Sequence, residues 1–164
     1  MQNSTLPMKP ADLPTLVLDD QLCFPLYAAS NLIQRLYRPL LDALNLTYPQ
    51  YLVMLVLWEN APLSVGILGE QLYLDSGTLT PLLKRMEKAD LITRDRDPED
   101  ERRVLVGLTP AGRTLRKHAK ALPANLLCRI DMPLADLLRL RDDVRQLIVH
   151  VEASHRLSGT AEAR

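Results

Sequence analysis

The stretch LGEQLYLDSGTLTPLLKRMEKADLITRDRDPEDERRVLVGLT, residues 68–109, decides the fold because its hydrophobic period changes once along its length. In the first half, apolar residues recur at helical spacing, and a helix is predicted to begin at Asp75 or Ser76. The second half holds two runs rich in Ile, Val and Thr, residues 91–97 and 102–109, separated by the charged turn PEDE. That pattern predicts a β-hairpin. The inward stripe of the helix is predicted to be Leu79, Leu82, Leu83 and Met86.

Two further helices are predicted directly before this stretch. Residues 45–62, NLTYPQYLVMLVLWENAP, are apolar on all sides of a helix and must be buried, with Thr47 as the cap. Residues 63–74, LSVGILGEQLYL, form a short helix capped by Ser64. Two short helices joined by a tight turn and followed by a hairpin make a winged helix-turn-helix. The predicted fold class is therefore mainly α with a small β-hairpin wing.

A long helix is predicted upstream, where apolar residues at helical spacing run from residue 19 to residue 44. Asp19 and Asp20 suit its start through capping and the helix dipole. Pro25 is tolerated only in a first turn, so the helix should begin near residue 21. Pro39 falls late and should end or kink it.

Two more helices are predicted downstream, one over 109–130 with Thr109 as cap and Pro110 in the first position, and one over 132–157. The outer helices have apolar faces without a partner in so small a domain, and packing against a second copy would bury them. The predicted regions are an N-terminal arm (1–17), a helical dimerisation region (18–46 and 110–158), a winged helix-turn-helix DNA-binding region (47–109) and a C-terminal tail (159–164).

Composition limits the function classes. The chain has 164 residues, 47% of them hydrophobic, and zero net charge, so any nucleic-acid site must be a local patch. Its longest apolar run, Tyr51–Trp58, is too short to span a membrane, and the N-terminus does not read as a signal peptide, so we expect a cytoplasmic protein. With two cysteines and three histidines, no metal-ligand cluster and no cofactor are expected. No arrangement typical of an enzyme stands out.

The helix that begins near Asp75 is predicted to read DNA in the major groove, since short hydroxylated side chains at its start can donate to bases and phosphates. An arginine at the hairpin tip fits the minor groove, and Arg102, held by Asp100, is the favoured one. On the wing alone, a solvated charged hairpin is an equally good interpretation. The candidate DNA-binding residues are Ser76, Thr78, Thr80, Lys84, Arg85, Arg94, Arg96, Arg102 and Arg103.

The chain resembles the MarR family of dimeric winged-helix transcription regulators. The wing pattern Asp-x-Arg followed by Val-x-Leu-Thr is present in residues 100–109, and PAG follows it. The segments LCFPLYAASN, RPLLDALNLTYPQYLVMLVLWE and LGEQLYLDSGTLTPLLKRME resemble the OhrR subgroup, repressors that sense organic hydroperoxides. These segments cover most of residues 20–112. The resemblance implies a homodimer that binds a pseudo-palindromic operator in double-stranded DNA.

The resemblance also implies that Cys23 is a peroxide-reactive thiolate held by two tyrosine hydroxyls, at positions matching Tyr37 and Tyr48. Tyr37 follows Cys23 by 14 residues, which is about 21 Å of helix. If the two side chains touch, the tyrosine must therefore come from the other subunit. Tyr27, one turn on, is the only tyrosine that can approach Cys23 along its own helix.

Two features complete the candidate sensing site. The apolar residues around Cys23 suit an alkyl or lipid hydroperoxide. The resemblance also implies that Cys128 is the resolving cysteine, because in part of the subgroup the matching cysteine forms a disulfide between subunits. Taken alone, Cys23 is better explained as a small buried residue, and the combination of LCFPLY and TYPQY reverses that preference. For Cys128 the alternative is a core residue in LLCRI, and the resolving role is favoured. The candidate peroxide-pocket residues are Leu22, Phe24, Leu26 and Tyr27.

Three functions are compatible with these features. The leading one is a peroxide-switched repressor that oxidation at Cys23 releases from its operator. A MarR-type repressor that responds to a ligand without redox chemistry is the second. A thiol peroxidase using Cys23 and Cys128 is the third, but an enzyme of that kind has no use for a winged helix.

Overall fold

The computed structural model describes residues 16–161, with side chains described through residue 155. The chain divides into two units, Met1–Leu122 and Pro123–Arg164. In the first unit, a 3-10 turn at Leu18–Asp20 precedes the helices and strands. These are α1 (Cys23–Asp42), α2 (Tyr48–Asn60), β1 (Leu63–Ser64), α3 (Val65–Leu72), α4 (Ser76–Lys88), β2 (Ile92–Arg96), β3 (Val104–Leu108) and α5 (Pro110–Ala119). Helix α6 (Leu122–Leu127) begins at the junction, and α7 (Leu134–Ala161) lies in the second unit.

The predicted winged helix-turn-helix is confirmed. Helices α3 and α4 form the helix-turn-helix, and β2 pairs with β3 as an antiparallel hairpin, with Ile92 opposite Leu108. The sheet has the order β1-β3-β2, because the two residues of β1 pair with β3 through Leu63 opposite Val106. Strand β1 was not predicted, since a strand of two residues is too short to show alternation.

The core of this unit lies between α2, α3, α4 and β3. All four predicted inward residues of α4 are buried. Helix α2 also contributes to the core from several sides, as its all-round apolar pattern predicts. The fully buried side chains include Leu41, Tyr51, Val53, Met54, Leu57, Leu68, Leu79, Leu83, Met86, Ile92 and Val106.

Local hydrogen bonds fix the helix starts. The Thr47 N–H donates to Gln50 Oε1 at 2.8 Å at the start of α2. Ser64 Oγ accepts from the Ile67 N–H at the start of α3, and Thr109 Oγ1 accepts from the Gly112 N–H at the start of α5. The predicted caps of these helices are therefore in place.

Close backbone approach shapes the turn between α3 and α4. The Leu74 N–H donates to the Gly69 carbonyl at 3.0 Å, and Tyr73 takes a left-handed conformation with φ 55°. A Cβ at Gly69 would lie 2.8 Å from the Leu74 carbonyl oxygen. Only glycine fits at this position, so Gly69 sets how closely the turn can fold back on α3.

The start of α1 differs in detail from expectation, and of the two effects predicted for Pro39, an end or a kink of the helix, the end does not occur. The helix begins at Cys23, two residues later than expected, and Asp19 and Asp20 belong to the 3-10 turn, not to a cap of α1. Pro39 does not end the helix, which continues to Asp42. A proline removes one hydrogen bond inside a helix but leaves its neighbours intact, and here packing of Leu41 in the core holds the last turn.

The region after the wing also differs from expectation. The single helix predicted over 109–130 is two helices, because Pro123 has no N–H to donate to the carbonyl of Ala119. Cys128 therefore lies just after α6, with its N–H donating to the Ala124 carbonyl at 3.1 Å.

The ends of the chain fall partly outside the described residues. The last helix, α7, begins at Leu134 rather than at residue 132. Its backbone reaches Ala161, so the predicted tail (159–164) lies partly within it and partly outside the described residues. Residues 1–15 of the predicted arm (1–17) also lie outside.

Large apolar side chains are exposed on both units, and most of them fall in one segment of each unit. In the second unit they lie along α7 and just before it, and in the first unit they lie in the 3-10 segment and the first half of α1. The first-unit set is Leu16, Val17, Leu18, Leu22, Leu26, Tyr27, Leu32 and Ile33, and the second-unit set is Leu127, Met132, Leu134, Leu138, Leu140, Ile148, Val149 and Val151. Across residues 16–161, none of the helices has the length and apolar character needed to span a bilayer.

Candidate DNA-binding surface and sensing site

The start of α4 is organised by Asp75. Its Oδ1 accepts from the Thr78 N–H at 2.8 Å, and its Oδ2 accepts from the Thr78 hydroxyl at 3.1 Å. These hydrogen bonds to Thr78 lower the pKa of the Asp75 carboxyl. Because the Thr78 hydroxyl hydrogen is already used, this side chain offers an oxygen acceptor and a methyl group to a ligand. Ser76 is exposed, whereas Thr80 is half-buried.

The basic side chains of α4 and the wing differ in how exposed they are and in whether they are paired. Lys84, Arg85 and Arg96 are exposed. The Arg94 side chain is only 18% exposed, and its Nη1 lies 3.3 Å from Glu87 Oε2 on α4. Its buried Nε has no hydrogen-bond partner among the described groups. Arg94 therefore links the wing to the C-terminal part of α4, while the other three point into solvent.

The wing turn is closed by its acidic residues. Buried Asp97 accepts from the Glu99 N–H at 3.0 Å, and its Oδ2 lies 3.6 Å from Arg103 Nη1. Asp100 Oδ1 accepts from the Arg102 N–H at 3.1 Å and lies 3.8 Å from Arg102 Nε. The Arg102 side chain is 95% exposed. An exposed pair of this length stabilises little, so Arg102 is free to reach a ligand.

A groove of about 570 Å³ lies between the start of α3 and the wing. Three guanidinium groups and one carboxylate, that of Glu70, line it. The first residues of α3 also line it, and the positive end of a helix dipole favours an anion nearby. The groove therefore suits a phosphate group better than a neutral ligand. Its main polar lining residues are Ser64, Gly66, Thr80, Arg94, Arg102 and Arg103.

Cys23 is the first residue of α1, and its side chain is exposed. Leu22 and Tyr27 beside it are 72% and 68% exposed, Leu26 is 38% exposed, and Phe24 is half-buried. An oxidant can therefore approach the thiol across an apolar surface. Cys128, in the second unit, is also a free and exposed thiol.

Tyr37 and Tyr48 come together where α1 and α2 meet. Their ring centroids are 5.2 Å apart with the planes tilted by 42°, and both residues are half-buried. Burial, followed by the nearby phenols of Tyr51 and Tyr48, raises the pKa of Tyr37 to about 12. Burial also raises the pKa of Tyr48. Both phenols therefore stay protonated at neutral pH and can donate hydrogen bonds to an anion.

The helix geometry separates this pair from the Cys23 of the same chain. Cys23 and Tyr37 lie on one uninterrupted helix, 14 residues apart, and the rise of an α-helix places them about 21 Å apart. That distance is several times the length of a tyrosine side chain. Any contact between the Tyr37 hydroxyl and a Cys23 sulfur must therefore involve two copies of the chain.

A second groove, of about 640 Å³, adjoins the tyrosine pair. It runs along α1 to the start of α2, and phenols, amides and two guanidinium groups line it beside a few apolar side chains. The lining includes Tyr27, Asn31, Gln34, Arg35, Arg38 and Tyr48.

Two members of the site region, Tyr51 and Trp58, were not predicted from the sequence. Tyr51 is buried against Tyr37, with ring centroids 5.7 Å apart. Trp58 Nε1 donates to the Gly112 carbonyl at 2.8 Å. The spacing of Tyr48 and Tyr51 in TYPQY, three residues apart on one helix, was the available signal for the first. No local signal predicts a bond between residues 54 positions apart.

Known proteins similar to this chain are transcriptional regulators. The family model of the SarA/Rot transcriptional regulators matches residues 35–119. The organic hydroperoxide resistance transcriptional regulator of Bacillus subtilis is 52% identical over 131 residues, which cover 80% of this chain and 89% of that protein. The chain belongs to the MarR family, in the group of organic hydroperoxide resistance regulators.

Solved structures agree with the assignment to the MarR family. Reduced AbfR bound to DNA has a TM-score of 0.66 at 33% identity, covering 82% of this chain and 94% of that one. Disulfide-formed AbfR has a TM-score of 0.60 at 32% identity, covering 82% and 91%; AbfR is from Staphylococcus epidermidis. A MarR-family regulator from Rhodococcus has a TM-score of 0.71 at 24% identity, covering 81% and 96%, and supports the fold alone. The MarR-family chain described here is a DNA-binding transcriptional regulator, not an enzyme.

Proposed function

We propose that this MarR-family regulator is a cytoplasmic, homodimeric repressor that binds operator DNA and leaves it when an organic hydroperoxide oxidises Cys23. One observation carries the proposal. The exposed thiol begins the helix whose Tyr37 pairs with Tyr48, and both phenols stay protonated donors at neutral pH. A sulfur anion is the group such a pair would hold.

In the proposed complex, the start of α4 enters the major groove with Ser76 and Thr78, and Lys84 and Arg85 lie further along that helix. Arg102 reaches the minor groove from the wing, and its 95% exposed side chain supports this role. Arg94, Arg96, Thr80 and Arg103 are proposed to contact or support the DNA backbone. The groove between α3 and the wing supports a phosphate there.

The exposed apolar side chains of α1 and α7 support a homodimer, since burying them against a second copy removes them from water. A two-fold dimer presents two α4 helices, so its operator is pseudo-palindromic with half-sites about one DNA turn apart. In this proposed dimer the tyrosine pair of one copy receives the Cys23 sulfur of the other, and the length of α1, which keeps Tyr37 and Cys23 of one copy apart, supports that arrangement.

The sensing step follows from thiol chemistry. The Cys23 thiolate attacks one peroxide oxygen, the O–O bond breaks, and the alkoxide takes a proton and leaves as an alcohol. The sulfur loses two electrons and becomes a sulfenic acid, while the hydroperoxide is reduced. The Cys128 thiol of the other copy then attacks that sulfur, a disulfide forms and water leaves. The disulfide-formed structure of AbfR supports a switch of this type.

DNA release by one equivalent of oxidant tests the proposal. A duplex selected from a random pool by the reduced protein serves as the probe, and its fluorescence anisotropy is followed during addition of cumene hydroperoxide. We expect release at about one equivalent per Cys23 thiol. Cys23→Ser should stay bound, and Cys128→Ser should lose the disulfide-linked dimer on a non-reducing gel. Release that persists in Cys23→Ser would contradict the proposal.

A second candidate function is repression controlled by a ligand without redox chemistry. The 640 Å³ groove beside Tyr48 favours it, because its size is typical of small-molecule sites. An organic anion that releases the probe DNA from the Cys23→Ser variant would support this function.

A further inference from the structure

Tyr51 is the buried member of an aromatic cluster formed by α1 and α2. Its ring centroid lies 5.7 Å from that of Tyr37 and 6.4 Å from that of Trp58, with tilts of 46° and 66°. Only 2% of Tyr51 is exposed, whereas Tyr37 and Tyr48 are half-buried. Tyr37 therefore rests on a ring that is itself fixed in the core.

Tyr51 is also connected to Tyr48. The two residues are three positions apart on α2 and so lie on the same helix face. Burial is the main cause of the raised pKa of Tyr37 and of Tyr51, and a neighbouring phenol adds to each, Tyr51 for Tyr37 and Tyr48 for Tyr51. One buried side chain thus adjoins both phenols of the candidate sensing site.

Two half-buried phenols on different helices do not share a fixed geometry unless packing restricts their rotamers. A side chain that must hydrogen-bond an anion needs its hydroxyl placed within about 0.5 Å, which requires a rigid supporting group. The Tyr51 ring is the aromatic side chain that contacts Tyr37 from the core side. It can restrict the Tyr37 ring to the orientation that faces Tyr48.

We infer that Tyr51 is a positioning residue for the sensing thiolate, acting by holding Tyr37 and Tyr48 in the arrangement that receives the Cys23 sulfur of a second copy. This inference rests on the proposed function. Tyr51 itself does not touch the sulfur. Its effect is on the two hydroxyl groups that do.

The pH dependence of Cys23 alkylation measures this effect in the dimer. A Cys128→Ser background leaves one thiol, and the rate of reaction with iodoacetamide is followed from acidic to alkaline pH. Tyr51→Leu and Tyr51→Met remove the aromatic ring, with Met being unbranched and better able to fill the space left behind, and Tyr51→Phe keeps the ring. Val53→Ala is the matched control, because Val53 is fully buried on the same helix but points about 200° away.

We expect Tyr51→Leu and Tyr51→Met to slow alkylation at neutral pH by about tenfold and to move the profile to higher pH, as loss of one hydrogen bond to an anion predicts. Tyr51→Phe should stay close to the parent. Val53→Ala should lower the melting temperature without moving the profile. If Tyr51→Met gives the same profile as the parent, or if Val53→Ala moves the profile as far as Tyr51→Met does, Tyr51 has no positioning role.

The Tyr37→Phe variant separates failure of this inference from failure of the proposed function. A profile that moves in Tyr37→Phe but not in Tyr51→Leu or Tyr51→Met would overturn the role of Tyr51 alone. A profile that moves in none of these variants would overturn both. Melting curves of every variant show which ones fold, and Tyr51→Met serves if Tyr51→Leu does not.

Discussion

Trp58 and Gly112 are joined by a hydrogen bond, in which the indole Nε1 donates to the glycine carbonyl oxygen at 2.8 Å. The bond ties α2, which carries Tyr48 and Tyr51, to the first turn of α5. Gly112 has no room for a side chain, because a Cβ there would run into the Leu91 carbonyl oxygen. The contact therefore combines one specific donor with one closely packed backbone position.

Replacing the indole tests the strength of this bond. Trp58→Phe keeps an aromatic ring but leaves the buried Gly112 carbonyl without its donor, so the free energy of unfolding should fall by about 1–3 kcal/mol. Urea denaturation followed by circular dichroism measures the change. Glu59→Ala, at an exposed neighbouring position, should change it by less than about 0.5 kcal/mol. Equal stability of Trp58→Phe and Glu59→Ala would show that the hydrogen bond contributes nothing.

Two wing arginines are expected to have different roles, one in DNA binding and the other in stability. Arg102→Ala should weaken DNA binding with little effect on stability, because its side chain is 95% exposed. Arg94→Ala should lower stability, because it removes a side chain that is only 18% exposed and leaves Glu87 without its partner. Thermal melting and DNA titrations over a range of salt concentrations separate the two effects.

If Arg102 contacts a phosphate, the salt dependence of log K should lose about one unit of slope in Arg102→Ala. If it lies in the minor groove, the loss of affinity should instead depend on the base sequence at the flanks of the site. Unchanged affinity in Arg102→Ala would remove this residue from the DNA-binding surface.

The two phenols should affect the peroxide response but not DNA binding. Tyr37→Phe and Tyr48→Phe each remove one hydroxyl donor and keep the ring, so oxidation of Cys23 should slow by about tenfold. Stopped-flow oxidation and DNA titration of the reduced protein measure the two properties. Wild-type oxidation rates in both variants would show that the phenols do not activate the thiol.

The raised pKa of Tyr37 has a consequence at alkaline pH. A folded-state pKa of about 12, against an ordinary value of 10.0, means that the protonated phenol favours the folded state. This contribution to stability is fully present below pH 10 and is lost as the pH rises towards 12. An alkaline titration of tyrosinate absorbance should show several late-titrating phenols, because burial raises the pKa of Tyr37, Tyr48 and Tyr51, and Tyr37→Phe should lower the amplitude of this late part. A protein whose tyrosines all titrate near the ordinary value would contradict this.

Asp75 should make stability depend on acidic pH. Its carboxyl has a lowered pKa in the folded state, so its contribution is present above the ordinary value of 3.8 and is lost as the pH falls further. Asp75→Asn keeps an oxygen that can cap α4 but cannot ionise. The melting temperatures of wild type and Asp75→Asn should therefore converge at acidic pH. A constant difference between them would rule out ionisation of Asp75 as the cause.

Several features could be predicted from the sequence because their causes lie within a few residues. The caps at Thr47, Ser64 and Thr109 depend on a side chain and an N–H three positions away. The inward stripe of α4 and the hairpin around PEDE follow from the helical and strand periods. The helix break before Pro123 also has a local cause. It was not predicted, because apolar residues continue at helical spacing on both sides of the break.

Only the tertiary structure decided which distant residues meet. It paired Arg94 with Glu87 on α4, gave β3 a second neighbour in β1, and buried Tyr51 against Tyr37. The separation of Cys23 from Tyr37 already followed from their spacing in the sequence, and the structure adds that α1 runs through both residues without a break. A sequence pattern records periodicity along the chain. Contacts between residues that are distant in the sequence depend on how helices and strands pack, and this packing is set by the shapes of many side chains together.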